Sequence, residues 1–154
     1  SRRNFDETEG GKACQFPIVN PNARAYSPTD ELAAEIPDFL DPFDPDDFKL
    51  LWFDNDGLPE FSASCTEEQK TKVTNSIDIF HLNEQRISRK RNLIRLDIKR
   101  QIDDINSGDP TKIKNAKSYL RKITRETEML SRAACVYLSY YRYLPAIKEI
   151  LNAD

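Results

Sequence analysis

The chain has 154 residues, of which 38% are apolar, and it carries 23 Lys and Arg against 26 Asp and Glu for a net charge of −3. This length permits a hydrophobic core without disulfides or a structural metal, and no apolar stretch approaches the roughly 20 residues of a membrane span. The cysteines, three in number and far apart, form no Cys-x-x-Cys pair. We therefore expect reduced thiols and a protein of the cytoplasm.

Residues 1–60 are acidic and rich in proline. They carry 14 acidic against 5 basic residues and seven of the nine prolines. Because proline removes a backbone donor and blocks long helices, this density predicts turns and short strands, with one helix near Thr29–Glu35. We predict that residues 1–65 form a first region that wraps onto the rest of the chain.

Five aspartates are crowded near the middle of the acidic half, and they permit two interpretations. They are Asp38, Asp41, Asp44, Asp46 and Asp47. A metal-dependent hydrolase would use such a cluster together with His81, the only histidine. Asp41-Pro42 and Asp44-Pro45, however, are pairs that tight turns use, because Asp bonds to its own backbone and Pro fixes φ. The turns are favoured, and His81 is expected to be a half-buried polar residue at a helix end.

A β-hairpin is predicted next. The run Phe48–Phe53 is aromatic and apolar, Asp54-Asn55-Asp56-Gly57 has turn chemistry, and Leu58–Ser62 resumes an extended pattern. The same turn is not an EF-hand loop, because an acid is missing at Trp52 and a Glu is missing at Ala63.

From Thr66 the pattern becomes helical, so residues 66–154 form the second predicted region. Thr66 and Gln69 match a capping box that begins one helix. A second helix carries isoleucines on one stripe and basic residues opposite, and it ends before Gly108. Asp109-Pro110 supplies an N-cap and a first-turn proline for the next helix.

That next helix carries the longest periodic pattern in the chain. Its members recur at spacings of three and four: Ile113, Ala116, Leu120, Ile123, Thr127, Leu130, Ala134, Tyr137, Tyr141 and Leu144. We predict one unbroken heptad helix that ends or kinks at Pro145, followed by a short helix over 146–151. The expected fold class is mainly α: an irregular, proline-rich N-terminal half with a short β-hairpin, then a helical bundle dominated by a long antiparallel helical hairpin.

Residues 86–125 hold 13 basic and only 4 acidic residues. Such a segment can bind phosphates, but charged coiled coils also have solvated faces of this kind, and both interpretations stay open. The candidate nucleic-acid-binding residues are Arg86, Arg89, Lys90, Arg91, Lys99 and Arg100.

Four tyrosines cluster near the end of the heptad pattern, at Tyr137, Tyr140, Tyr141 and Tyr143. Tyr137 and Tyr141 belong to the seam and are expected to pack, whereas the other two project elsewhere and could anchor a partner or stack on bases. All four are candidate partner-binding residues.

Between about Lys12 and Leu96, several short elements follow one another in a recognisable order. They are Phe16-Pro17, Glu35, Leu40-Asp41-Pro42, Asp44-Pro45, Leu51–Phe53, Gly57, and Leu82-Asn83 followed by Arg86 and Arg89. This succession resembles the segment after the nuclease motif in HNH endonucleases of the Septu anti-phage type, the PtuB-like proteins.

The resemblance implies that a catalytic ββα-metal unit, with its Asp-His pair and zinc-holding Cys-x-x-Cys pairs, precedes Ser1, and the chain indeed lacks an initiator Met. The whole protein would then be an HNH DNA endonuclease that uses Mg²⁺ or Mn²⁺, and Zn²⁺, in that unit. This chain would hold no catalytic residue and no cofactor, would dock a PtuA-like ATPase in an oligomeric complex, and could guide DNA. The alternative is a stand-alone helical module that binds proteins or nucleic acid.

Overall fold

A computed structural model describes residues 3–5, 8–10, 18–20, 22 and 37–153. In chain order its elements are β1 (Arg3–Phe5), β2 (Thr8–Gly10), α1 (Pro45–Lys49), β3 (Leu51–Phe53), β4 (Pro59–Phe61), α2 (Glu67–Ile79), α3 (Gln85–Asn106), α4 (Pro110–Ile123), α5 (Ser131–Ser139) and α6 (Pro145–Leu151). The predicted mainly α fold class is confirmed. The helix predicted near Thr29–Glu35 lies outside the described residues.

The chain divides into two compact units. The first comprises Ser1–Leu51 and Pro59–Gln85, and the second comprises Trp52–Leu58 and Arg86–Asp154. We predicted a boundary after residue 65. In the structure α2 groups with the proline-rich segment, because it packs against β4 and the residues just before α1.

In the first unit, β1 and β2 pair antiparallel with Asn4 opposite Glu9. Farther along, α1 begins at Pro45, with Asp44 as its N-cap accepting a hydrogen bond from the Asp46 N–H. The prediction that Phe48 and Lys49 are extended is therefore wrong. An N-cap aspartate, a first-turn proline and two acidic residues next to the positive end of the helix dipole outweigh the strand preference of the aromatic run.

The predicted capping box of α2 is confirmed, since Thr66 and Gln69 each accept a hydrogen bond from the other's backbone N–H. Ser76 on this helix is fully buried. Its Oγ accepts from the Leu40 N–H at 2.7 Å and donates to the Lys72 carbonyl at 2.8 Å. The Ser76 hydroxyl thus links the backbone at Leu40, before α1, to α2.

The predicted hairpin is confirmed, with strands shorter than expected: β3 and β4 form a two-stranded sheet. Its turn is held by the Asp54 carboxylate, which accepts from the backbone N–H groups of Asp56 and Leu58 at 2.9 and 2.8 Å. Gly57 has φ of +83°, a left-handed conformation that an L side chain rarely adopts.

The predicted unbroken heptad helix is wrong, because α4 ends at Ile123 and α5 begins only at Ser131. At the end of α4, Thr124 Oγ1 donates to the Leu120 carbonyl at 2.9 Å, a local bond that competes with helix continuation. Leu130 has φ of +62°, which reorients the chain just before α5. Of the predicted seam positions, the two shorter helices bury Ala116 and Leu120 on α4 and Ala134 and Tyr137 on α5.

The core of the second unit is built around α5. Its buried residues include Ala133, Ala134, Val136, Tyr137 and Leu138. The predicted terminal helix is confirmed as α6, which packs against α4 and α5 through buried Ile147 and Ile150. Burial of this kind supplies most of the favourable free energy of such a unit.

The turn between α3 and α4 follows its sequence signals. Gly108 takes φ of +76°, and the Asp109 carboxylate accepts a hydrogen bond from the Thr111 N–H at 2.9 Å. Tyr119 Oη donates to Asp97 Oδ2 at 3.4 Å, so the two helices meet away from the turn as well. In the predicted apolar stripe of α3, Ile98 is buried, and Ile87, Ile94 and Ile105 are half-buried.

Candidate nucleic-acid surface and tyrosine cavity

Five of the six candidate nucleic-acid-binding residues are exposed on α3. They are Arg86, Arg89, Lys90, Lys99 and Arg100. Arg100 forms an ion pair with Asp97, one helical turn before it. Among the described residues, Arg89, Lys90 and Lys99 make no ion pair. Three cations of this helix are therefore available to an anionic ligand.

Arg91 is the exception, because it belongs to the core of the second unit and is only 3% exposed. Its Nη1 donates to the Gly57 carbonyl oxygen at 3.1 Å, and its guanidinium lies 4.5 Å from the centroid of the Phe53 ring. Burial lowers the pKa of Arg91 to about 10. The predicted phosphate contact from Arg91 is therefore wrong, because the side chain is buried against the hairpin turn and the Phe53 ring.

Two leucines share the exposed face of α3 with the cations. Leu93 is 61% exposed, and Leu96 is also exposed. Residues three and four positions apart are neighbours on a helix surface, so Leu93 lies beside Arg89 and Lys90. Neither leucine was predicted as a site residue, although their position opposite the isoleucine stripe was a visible signal.

The basic surface extends onto α4, which contains five lysines and arginines and no acidic residue. Lys112, Lys114 and Lys122 are exposed. Arg121 is also exposed, and it pairs with Glu149 on α6 at 2.7 Å. Most of the positive charge of α4 therefore faces solvent.

The heptad pattern predicted that two of the four tyrosines pack and two are exposed, and this prediction is confirmed in part. Tyr140 and Tyr143 are exposed, the latter by 73%, and Tyr141 is half-buried. Tyr137 is 1% exposed, and its Oη donates to the Asp54 carbonyl oxygen at 2.7 Å. Burial raises the pKa of Tyr137 to about 12. Tyr137 is thus a core residue with a satisfied hydroxyl and has no surface to offer a partner.

Trp52 lies beside these tyrosines, although its sequence pattern predicted only a place in the hairpin. Its Nε1 donates to Tyr140 Oη at 3.2 Å, and the two rings meet edge to face with centroids 6.2 Å apart. The Arg132 guanidinium lies over the indole at 5.7 Å from its centroid. Tyr140 is therefore held in place by the indole even though its ring is exposed.

A cavity of about 300 Å³ opens beside these rings, lined by Asn55, Arg95, Tyr137, Tyr140 and Tyr141. Arg95 comes from α3, where its Nε donates to Asn92 Oδ1 at 3.1 Å. Asn55 comes from the hairpin turn. Neither residue was predicted, because only the tertiary structure brings the turn, α3 and the end of α5 together.

The aspartate cluster before α2 serves turns and caps. Asp41 Oδ1 accepts from the Phe43 N–H at 2.9 Å, and Asp47 Oδ2 accepts from the Asp41 N–H and pairs with Lys72 at 2.8 Å. Burial alone would raise the pKa of Asp47, but the Asp41 N–H and the Lys72 ammonium together hold it below its usual value. His81 is half-buried just after α2 with φ of +50°, which confirms the expected place at a helix end.

Within residues 37–153 and the short described segments before them, no group of three His, Cys, Asp or Glu side chains is placed to hold a metal ion. In the same part of the chain, no helix combines the length and apolarity that crossing a bilayer requires. No protein family, curated protein or solved structure matches the chain.

Proposed function

We propose that the second unit binds nucleic acid through its phosphates, as the non-catalytic part of an HNH-type nuclease of anti-phage defence. One observation carries this proposal. Nine of the twelve Lys and Arg residues of α3 and α4 are exposed in an acid-poor stretch, and among the described residues Arg89, Lys90 and Lys99 have no carboxylate partner.

The chemistry of these side chains suits a phosphate backbone. An arginine guanidinium can donate two parallel hydrogen bonds to one phosphate, and a lysine ammonium acts as a point charge. Each phosphate that is neutralised releases bound counterions, which makes affinity depend steeply on salt. A surface of this kind binds many sequences with similar affinity and would guide DNA rather than select a site.

In this proposal the cleavage chemistry belongs to a unit upstream of Ser1, which would hold Mg²⁺ or Mn²⁺ and Zn²⁺. A PtuA-like ATPase would be the protein partner, docked on the C-terminal helices. The chain by itself is then expected to leave DNA intact when Mg²⁺ or Mn²⁺ is added. Cleavage that copurifies with the chain and disappears in His81→Ala would contradict this assignment and favour a self-contained hydrolase.

Fluorescence anisotropy of a labelled DNA duplex, measured over a series of salt concentrations, tests nucleic-acid binding. We expect Arg89→Gln with Lys90→Gln to lower the affinity at low salt and to reduce the log–log salt slope by about 1.8, since each lost phosphate contact contributes about 0.9. Lys148→Gln, which removes an exposed cation of α6, is the matched control and should change the slope little.

The exposed leucines of α3 favour a second candidate function, a helical protein-interaction module. Apolar side chains in a polar rim are typical of a protein interface. If the duplex does not bind at any salt concentration, the nucleic-acid proposal fails. Binding of a purified PtuA-like ATPase that Leu93→Glu abolishes would then establish the second candidate.

A further inference from the structure

We propose that the tyrosine cavity of the second unit holds one nucleotide of a single-stranded nucleic acid, with the base against the tyrosine rings and the phosphate on Arg95. The inference deepens the proposed function and rests on it. It assigns a ligand to the cavity formed by the hairpin turn, α3 and the end of α5.

The walls of the cavity provide aromatic surface. The exposed Tyr140 and the half-buried Tyr141 supply this surface, whereas Tyr137 also lines the cavity but is 1% exposed and belongs to the core. Tyrosine rings stack on any nucleobase, because every base has a π face, and this is how many proteins hold single strands without reading their sequence. A volume of about 300 Å³ is at the lower end of small-ligand pockets, which is suitable for one nucleotide and too small for a folded segment.

Arg95 supplies the anion-binding group. Its Nε donates to Asn92 Oδ1 at 3.1 Å, which fixes one edge of the guanidinium. Among the described residues, its two Nη groups make no hydrogen bond. A guanidinium held by one edge has its remaining donors oriented in advance for the oxygens of a phosphate.

Two neighbours complete the site for a nucleic acid rather than for a lone anion. Asn55 brings an amide, with donors and an acceptor that match the edge of a base. Lys99 is exposed four residues after Arg95 on α3, so it lies on the same side of the helix and can meet the next phosphate of a strand. Inorganic phosphate has no ring to stack on the tyrosines, so the aromatic walls favour a nucleotide over a lone anion.

The molecule contains its own reporter for this cavity. Trp52 is the only tryptophan of the chain, and its Nε1 donates to the hydroxyl of Tyr140, which lines the cavity. A base that enters against Tyr140 changes the polarity and hydrogen bonding around the indole. Occupancy is therefore expected to change the emission of Trp52.

The test is a titration of the full chain with thymidine 5′-monophosphate, thymidine and inorganic phosphate, followed by the emission of Trp52. We expect a saturable change with the nucleotide at concentrations where thymidine and phosphate give none. Arg95→Gln should weaken nucleotide binding by about tenfold or more, as the loss of one charge-assisted hydrogen bond does. Arg95→Lys should recover only part of this loss, because it restores the charge without the planar donor pair.

Lys148→Gln is the matched control, since it removes an exposed cation of α6 that does not line the cavity and should leave nucleotide affinity unchanged. Tyr141→Leu should weaken binding of the nucleotide while far-ultraviolet circular dichroism shows an intact fold. Phosphate that binds as tightly as the nucleotide would overturn the inference in favour of a simple anion site. Thymidine that binds as tightly would overturn the role given to Arg95.

Duplex binding separates this inference from the function on which it rests. If the salt-dependent binding through α3 persists but neither the mononucleotide nor a short oligothymidylate changes Trp52 emission, the cavity assignment is overturned and the proposed function stands. If the duplex also fails to bind, both are overturned.

Discussion

Arg91 of α3 packs against the hairpin turn at Gly57. The Arg91 guanidinium donates to the Gly57 carbonyl oxygen at 3.1 Å, and a Cβ added at Gly57 would lie 3.1 Å from the Arg91 Cβ and 2.2 Å from the Ser88 carbonyl oxygen. The backbone of the turn therefore lies directly on the helix, where there is no room for a side chain.

This packing predicts that Gly57→Ala is strongly destabilising. The new methyl group collides with backbone that cannot move independently, and the left-handed φ adds strain, so we expect a loss of about 3 kcal/mol in the free energy of unfolding. Urea denaturation followed by Trp52 fluorescence measures it. Gly108→Ala is the control, because its φ is similarly positive but its Cβ would meet open space; it should cost only about 1 kcal/mol. Equal losses in the two variants would contradict the close packing.

Arg91→Ala and Arg89→Ala should separate stability from ligand binding. Removal of Arg91 leaves the buried Gly57 carbonyl oxygen without this donor and opens a cavity against Phe53, which we expect to cost about 3 kcal/mol. Arg89 is exposed, so its replacement should change stability by less than about 0.5 kcal/mol while it weakens DNA binding. Chemical denaturation and anisotropy on both variants check this, and a stable Arg91→Ala protein with impaired DNA binding would reverse the assignment.

The stability of the second unit should fall at alkaline pH because of Tyr137. Its pKa is raised to about 12 in the folded state, above the ordinary value of 10. The unfolded chain therefore loses this proton first, and the stabilisation, fully present below pH 10, is lost as the pH rises to about 12. The size of the shift corresponds to on the order of 3 kcal/mol.

Tyr137→Phe isolates this effect from the other titrating groups, including Arg91, whose lowered pKa acts in the opposite direction. At neutral pH the variant should lose about 1 kcal/mol with the hydrogen bond to the Asp54 carbonyl. Between pH 10 and 12 its stability should decline less than that of the wild type. Parallel curves for the two proteins would show that the hydroxyl does not titrate as described.

Ser76→Ala tests the first unit. The substitution removes the acceptor for the Leu40 N–H and leaves a buried donor unsatisfied, which we expect to cost about 1–3 kcal/mol. Ser118→Ala, at an exposed position of α4, should be neutral or slightly stabilising because alanine is the better helix former. Thermal unfolding that shows equal, small effects would exclude a structural role for the Ser76 hydroxyl.

Local signals predicted the ends of the helices well. The capping box at Thr66, the Asp109-Pro110 pair and Pro145 each act within one helical turn, so their effect does not depend on the rest of the fold. The same locality explains the error at Phe48, where a cap and a proline just upstream began a helix that the aromatic pattern concealed.

The break between α4 and α5 was not visible in the periodicity. A heptad pattern shows only the spacing of apolar positions. A break of seven residues between two helices keeps that spacing, so the pattern does not reveal the break. Arg91 was misassigned because of its charge, although its place seven residues before buried Ile98 marked it as an inward position. Asn55 and Arg95 carried no signal, since they meet only after the hairpin turn has docked on α3.

The hydrogen bond from Tyr137 to Asp54 spans 83 residues of chain, and this has a consequence during synthesis. At about 5–20 residues per second, a ribosome takes on the order of ten seconds to make the chain between the two partners. Throughout that interval the nascent turn lacks its tyrosine, and until α3 has been made it also lacks the helix on which it packs. The rings of Trp52 and Phe53 meanwhile have no completed core to enter. The second unit therefore cannot finish folding until its last helices have been translated. Slower decoding over α4 and α5 should prolong the exposure of these apolar rings and so increase chaperone binding to the nascent chain.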